Sequence, residues 1–197
     1  MMFDYLRITE ILKPFTGIEF VDPELLQIAA DRGTRVHDCI EDILAGRWSP
    51  EVIDEEVQGY LESFELFWKS SGHVFDYTEM QIEKRLFCPK LKITGKLDLI
   101  FTKPGRTYAI DWKTSSKKQD SWFLQGSAYT YLLKQNGYPE VDDVLFVHLK
   151  KGKRPTTYKD PEPEKSWQIF LKCLELYRYF KMDTTRRQND KFTFTRN

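Results

Sequence analysis

The chain has 197 residues, 41% of them hydrophobic, and 30 Lys+Arg balance 30 Asp+Glu to a formal net charge of zero. That length suits one domain with a real core, and the balanced charge leaves any nucleic-acid surface to be local rather than global. No stretch has the unbroken apolar length of a membrane span and "MMFDYLRITE" lacks the pattern of a secretion signal, so the expectation is a soluble, intracellular protein with no membrane partner. Cys39, Cys88 and Cys173 are odd in number and far apart, which argues against a disulfide frame, a zinc site or an iron–sulfur cluster.

In chain order, "RITEILKPF" predicts a short helix or turn with Thr9 as its cap and Pro14 as its stop. In "VDPELLQIAADRGTRVHDCIEDILAG", Asp22 can cap a helix, Pro23 fits its first turn and Gly46 closes the far end. Gly33 and Thr34 interrupt the pattern, so the segment reads either as one helix or as two that meet there. Val36, His37, Ile40, Ile43 and Leu44 share an apolar stripe, which turns His37 inward. Ser49 and Pro50 open the next predicted helix. Val57, Tyr60, Leu61, Phe64, Phe67 and Trp68 recur along it at helical spacing as far as Gly72, as core packing rather than a base-stacking platform.

From about Tyr77 the period changes to two, and "TEMQIEKRLF", "LKITGKLDLIF" and "TYAIDWKT" predict a three-stranded meander. A helix from about Asp120 to Asn136 follows, with Gly137 as its stop. Then come a strand "DVLFVHLK", a basic loop from Lys150 to Pro155, and a long helix after Pro161 and Pro163. The tail beyond Asp183 is expected to fray. This order predicts an α/β fold with a mixed central sheet flanked by helices and an N-terminal helical segment. The expected organisation is a single domain over 1–197: a helical part (1–75) carrying His37, a core (76–150), and a C-terminal helix and tail (151–197).

Asp111 and Lys113 stand two apart in a strand and so project from one face, with Ile110 and Trp112 on the other. If the preceding strand pairs through "KPGR", Asp98 joins that face, and two carboxylates so close suit a hard cation such as Mg²⁺. An exposed ion pair is the bland alternative. The apolar flanks Leu97, Leu99, Ile100, Ala109 and Ile110 oppose it, because charges are costly to bury without a purpose. His37 taken alone reads as a satisfied core histidine.

"RGTRVHDCIE", "ITGKLDLIF", "AIDWKTS" and "QGSAY", in that order, resemble the RecB-type nucleases of the PD-(D/E)XK superfamily, especially its small stand-alone members such as the phage-type exonucleases and the mitochondrial genome maintenance exonuclease. The resemblance implies a restriction-endonuclease-like core and a Mg²⁺- or Mn²⁺-dependent deoxyribonuclease using one or two ions. Its substrate would be DNA that is single-stranded or has free ends, in recombination, repair or replication. It would act alone or borrow a replication or recombination protein as partner for unwinding, and the cytoplasm of a bacterium or phage-infected host would be its place. His37, Asp98, Asp111 and the Trp112 carbonyl are the implied metal ligands, and Lys113 the residue that orients water and offsets phosphate charge. Glu83, with Glu79 as its rival, is the implied upstream acid. Gln125 and Tyr129, one helical turn apart, are the implied supports beside the DNA, and Lys117 and Lys118 follow the site directly. A histidine ligand favours Mn²⁺ at least as much as Mg²⁺. The basic run from Lys150 to Pro155 and the tail cations Arg186, Arg187, Lys191 and Arg196 read equally as solvated surface. A non-catalytic DNA-binding module and a structure- or sequence-specific endonuclease are the alternative readings.

Overall fold

A computed structural model describes residues 5–17, 20–47, 53–71, 80–103 and 105–193, the last twelve as backbone only. Ser49, Pro50, Gly72, Glu79, Arg196 and the side chains of Arg186, Arg187 and Lys191 therefore lie outside the described residues. The elements are β1 (Leu6–Arg7), α1 (Ile8–Leu12), α2 (Pro23–Leu44), α3 (Glu55–Ser71), β2 (Met80–Cys88), β3 (Ile93–Lys103), β4 (Arg106–Lys113), α4 (Ser121–Gln135), β5 (Leu145–Lys150), β6 (Lys153–Tyr158) and α5 (Pro163–Thr193). A 3₁₀ turn, Lys13–Phe15, extends α1. The fold is α/β, with a mixed six-stranded sheet between two helical layers.

One layer packs α1, α4 and α5 on the sheet through Ile11, Tyr129, Leu132, Phe146 and Phe170. The other packs α2 and α3 through Val36, Ile40, Leu61, Phe64 and Trp112. The aromatic stripe of α3 is thus core, as its spacing predicts: Phe64 and Phe67 meet the Trp112 ring edge-on at 5.3 and 5.7 Å.

The site is positioned by how β3 shares its edges. β2 runs antiparallel along one side of β3, from Met80↔Phe101 to Cys88↔Ile93. On the other side, β4 pairs only with the far half, from Lys103↔Arg106 to Leu99↔Ile110, and β1 pairs in parallel with Ile93 and Thr94. Residues 95–98 of β3 thus lie in a fork between β1 and β4. Gly95 is required there, because a Cβ at that position would stand 2.5 Å from a Tyr129 ring carbon and 3.0 Å from Ile8.

Several expectations are corrected. α1 is entered through Arg7 rather than capped by Thr9, which lies inside it, because β1 delivers the chain directly into the helix. α2 is one continuous helix through Gly33. The glycine lets the helix approach β4, since a Cβ would sit 3.2 Å from the Thr114 hydroxyl. Asp22 does cap α2, accepting from the backbone N–H groups of Glu24 and Leu25. α3 begins at Glu55, with Asp54 accepting from the Val57 N–H. The basic loop is a β-hairpin whose second arm is the edge strand β6. The backbone after Asp183 stays helical to Thr193.

Candidate active site

His37, Glu83, Asp98, Asp111, Lys113, Gln125 and Tyr129 come together at the fork from five elements. Asp98 is the hinge of the arrangement. One carboxylate oxygen accepts the Trp112 backbone N–H at 2.7 Å, just past the last β3–β4 pair, and the other faces His37 Nδ1 at 3.3 Å. The strand pairing thus hands over to a side chain where the sheet opens. The sequence pattern foresaw a common face for Asp98, Asp111 and Lys113, but not this use of the carboxylate.

Each carboxylate meets its own cation. Asp98 has His37, Asp111 has Lys113 at 2.6 Å, and Glu83 has Lys96. Burial alone disfavours the His37 imidazolium, but the Asp98 and Asp111 carboxylates more than offset it and raise its pKa to about 9. Asp98 feels a strong burial penalty as well. The His37 charge and the Trp112 N–H overcome it and hold the carboxyl below its usual range. Asp111 goes the other way: burial, reinforced by the nearby Asp98 charge, outweighs the lysine and pushes its pKa up to about 6. Burial also raises Glu83, against the pull of Lys96.

Glu83 occupies an unusual place. The pairs Ile82↔Leu99 and Lys84↔Leu97 flank it, so it lies opposite Asp98 across β2 and β3. Its φ of 53° is in the left-handed region that non-glycine residues rarely adopt. Strain of this kind, of order 1–3 kcal/mol, persists only where the surroundings enforce it. Ligand atoms of His37, Glu83 and Asp98 lie within 4.8 Å of one another. Glu83 is therefore inside the cluster, and its rival Glu79 lies outside the described residues.

This donor set fits a divalent cation. Glu83 Oε2 and Asp111 Oδ2 are buried and each faces a lysine ammonium, Lys96 and Lys113 respectively, a charge that a cation can replace, and the clustered donors are two carboxylates and an imidazole. Asp111 is not a fourth member of the cluster; its Oδ2 is paired with Lys113 instead. The backbone N–H of Trp112 is used by Asp98, and its side chain is core.

Lys113 is fixed from two sides. Its ammonium donates to Gln125 Oε1 at 2.7 Å, and Gln125 Nε2 donates to the Tyr129 hydroxyl at 2.8 Å. That chain orients the amide and holds the lysine beside Asp111. Burial and the Asp111 and Asp98 charges keep the Tyr129 phenol protonated far above its ordinary range. Lys118 instead turns to Asp120 at 2.9 Å and lies 4.4 Å from the Phe123 ring centre, while Lys117 contributes its carbonyl to Ser115. Neither is joined to the carboxylate cluster.

Three residues that the sequence reading did not single out brace this centre. Lys96 holds Glu83. Arg32 of α2 bonds Glu56 and the Thr114 carbonyl, tying the His37 helix to the end of β4. His148, buried and paired with Lys113 across β4 and β5, places Nε2 2.6 Å from the Ser115 carbonyl, which requires the proton on that nitrogen. Only contacts distant in sequence reveal them.

No curated protein matches the chain. Among solved structures, one described as a putative exonuclease from Eubacterium rectale is 12% identical, covers 69% of each chain and has a TM-score of 0.35. The structure of SSO0001 is 13% identical, covers 90% of this chain and 76% of that one, and has a TM-score of 0.44. The model of the PD-(D/E)XK nuclease superfamily matches residues 57–193, which include Glu83, Asp98, Asp111 and Lys113 and leave His37 just ahead of the match. Most of the chain, and the whole forked sheet from β2 onward, is covered by that match: the chain belongs to the PD-(D/E)XK nuclease superfamily.

Proposed function

We propose that the protein is a Mg²⁺- or Mn²⁺-dependent deoxyribonuclease, an exonuclease that hydrolyses phosphodiesters in single-stranded DNA or at DNA ends. The carrying observation is the convergence of His37, Glu83 and Asp98 within 4.8 Å beside a lysine held by Asp111 and Gln125. In this reading His37, Glu83 and Asp98 hold the ion, and Asp111 adds an oxygen once its contact with Lys113 loosens. A divalent cation bound there supplies neutralisation of the phosphate and a more acidic water at neutral pH.

The chain's own residues do the rest. A phosphodiester is already anionic, so attack on it needs positive charge near the oxygens that gain charge. Lys113 provides a compact ammonium at a point fixed by two partners. Gln125 and Tyr129 spend their hydrogen bonds on that fixation. Asp98 ties the Trp112 backbone to the His37 helix, so the lysine strand and the histidine keep one geometry. In-line attack of water on phosphorus, with the P–O3′ bond breaking, leaves a 5′ phosphate.

End-labelled linear single strands, linear duplex and closed circular single strands, each incubated with Mn²⁺, test the assignment. Loss of label from linear single strands with circles intact is the expected result. Cleavage of the circles would refute the exonuclease, and no cleavage of any DNA would refute the nuclease.

A further inference from the structure

Two clefts open beside Gln125 and Tyr129. One, of about 460 Å³, is lined by Arg7, Lys13, Lys113, Gln119, Trp122 and Gln125, among others. The second, of about 220 Å³, is lined by Arg7, Arg85, Thr94, Gly95, Lys96 and Tyr129, among others. They share Arg7 and Thr9, and successive turns of α4 line them, so they follow the hydrogen-bonded line from Lys113 through Gln125 to Tyr129.

Their charge is one-sided. Arg7, Lys13, Arg85 and Lys96 come from four separate segments of a chain whose net charge is zero. All four are exposed. Among the described residues, Lys13 and Arg85 have no ion-pair partner, and Arg7 reaches Glu10 only at 4.0 Å, with its side chain 68% exposed. Glu10, the one acid lining the larger cleft, is occupied by Tyr177 and Lys181. Lys96 lines the smaller cleft and is held by Glu83; a cation bound by Glu83 would release its ammonium to that cleft.

We propose that the two clefts form one groove for a nucleic-acid single strand, in which Arg7, Lys13, Arg85 and Lys96 take successive phosphates and lead the strand past Lys113. This rests on the nuclease reading of the same site. A single strand is favoured over a duplex because the volumes are those of small-ligand pockets, a few hundred Å³, whereas a duplex presents a rigid surface many times wider. Cations spread along such a groove bind the backbone without reading sequence.

Binding of a fluorescent oligothymidylate, followed by anisotropy in EDTA across a salt series, tests the groove without cleavage. Each lost phosphate contact on a single strand lowers the slope of log K against log salt by about 0.7, so Arg7→Gln, Lys13→Gln and Arg85→Gln together should lower it by about 2 and weaken binding by about tenfold or more at low salt. The single substitutions should each lower it by about 0.7, which covers a triple variant that fails to fold. Lys69→Gln on α3, away from the groove and paired with Glu65, should change neither quantity. Unchanged slopes in the groove variants, or a wild type that does not bind, would overturn the groove. A blunt duplex that binds as tightly and loses as much in the variants would overturn the single-strand assignment. Unchanged slopes with intact cleavage would sink the groove alone, whereas the expected slopes in a protein that cleaves nothing would support the groove and sink the nuclease reading.

Discussion

Asp111→Ala is expected to lower metal-dependent DNA cleavage by about 10²–10³-fold or more, and Lys113→Ala and His37→Ala to do the same, while each variant keeps the wild-type fold. The magnitude is that of removing one preorganised group aimed at developing charge. The three act on one centre: Asp111 holds the lysine at 2.6 Å, and His37 faces Asp98 at 3.3 Å. Their effects should therefore fail to add when combined. End-label release measures activity, and circular dichroism checks that each variant is folded. Full activity in Asp111→Ala would remove the site from the mechanism.

The same carboxylate works against the fold when no metal is bound, and Asp111→Asn should show it. Burial, with the Asp98 charge beside it, pushes the Asp111 pKa up to about 6. A carboxyl whose folded pKa lies above its unfolded value near 4 is neutral in effect at low pH and destabilising once ionised. Its contribution falls as pH rises from about 4 through about 6. His37 has the opposite sign: with a folded pKa of about 9, it stabilises fully below its unfolded value near 6.5, and the gain is lost as pH rises through about 9. Asparagine removes the first window and narrows the second, since the Asp111 charge is one of those that raise His37, while Asp98 still holds it. In EDTA, the unfolding free energy of Asp111→Asn minus that of the wild type should therefore climb between pH 4 and 6 by an amount on the order of 3 kcal/mol, read as a growing difference in melting temperature. A difference that stays level or falls over that range would contradict the electrostatics. With Mn²⁺ added, the wild type should gain stability that the variant lacks.

The legible parts of the sequence were those where local pattern and tertiary fate agree. The period of two over β2, β3 and β4 gave the meander, and residues two apart gave the shared face of Asp111 and Lys113. Helical spacing gave α3 and the four-residue step from Gln125 to Tyr129. β6 was hidden because an edge strand reading "KRPTTY" has no buried alternation to display, and Pro155 is tolerated only at such an edge. Gly33 looked like a helix break. Packing against Thr114 outweighs its propensity cost of about 1 kcal/mol. Between Glu83 and Glu79 the sequence had no means to choose. Glu83 enters the cluster through a left-handed backbone and a register opposite Asp98, neither of which leaves a pattern in the chain. Lys96, Arg32 and His148 act through partners far along the chain and were invisible for the same reason.

All of this rests on the claim that the fork is a divalent-metal centre now neutralised by its own cations. Mn²⁺ titrated calorimetrically at pH 7, in two buffers of different ionisation enthalpy, tests it most directly. Ligation needs neutral imidazole, and His37 is charged at that pH, so binding should release about one proton. Glu83→Gln and Asp98→Asn should each abolish or greatly weaken the binding. An absence of Mn²⁺ binding by the wild type, or binding that neither substitution alters, would contradict the account.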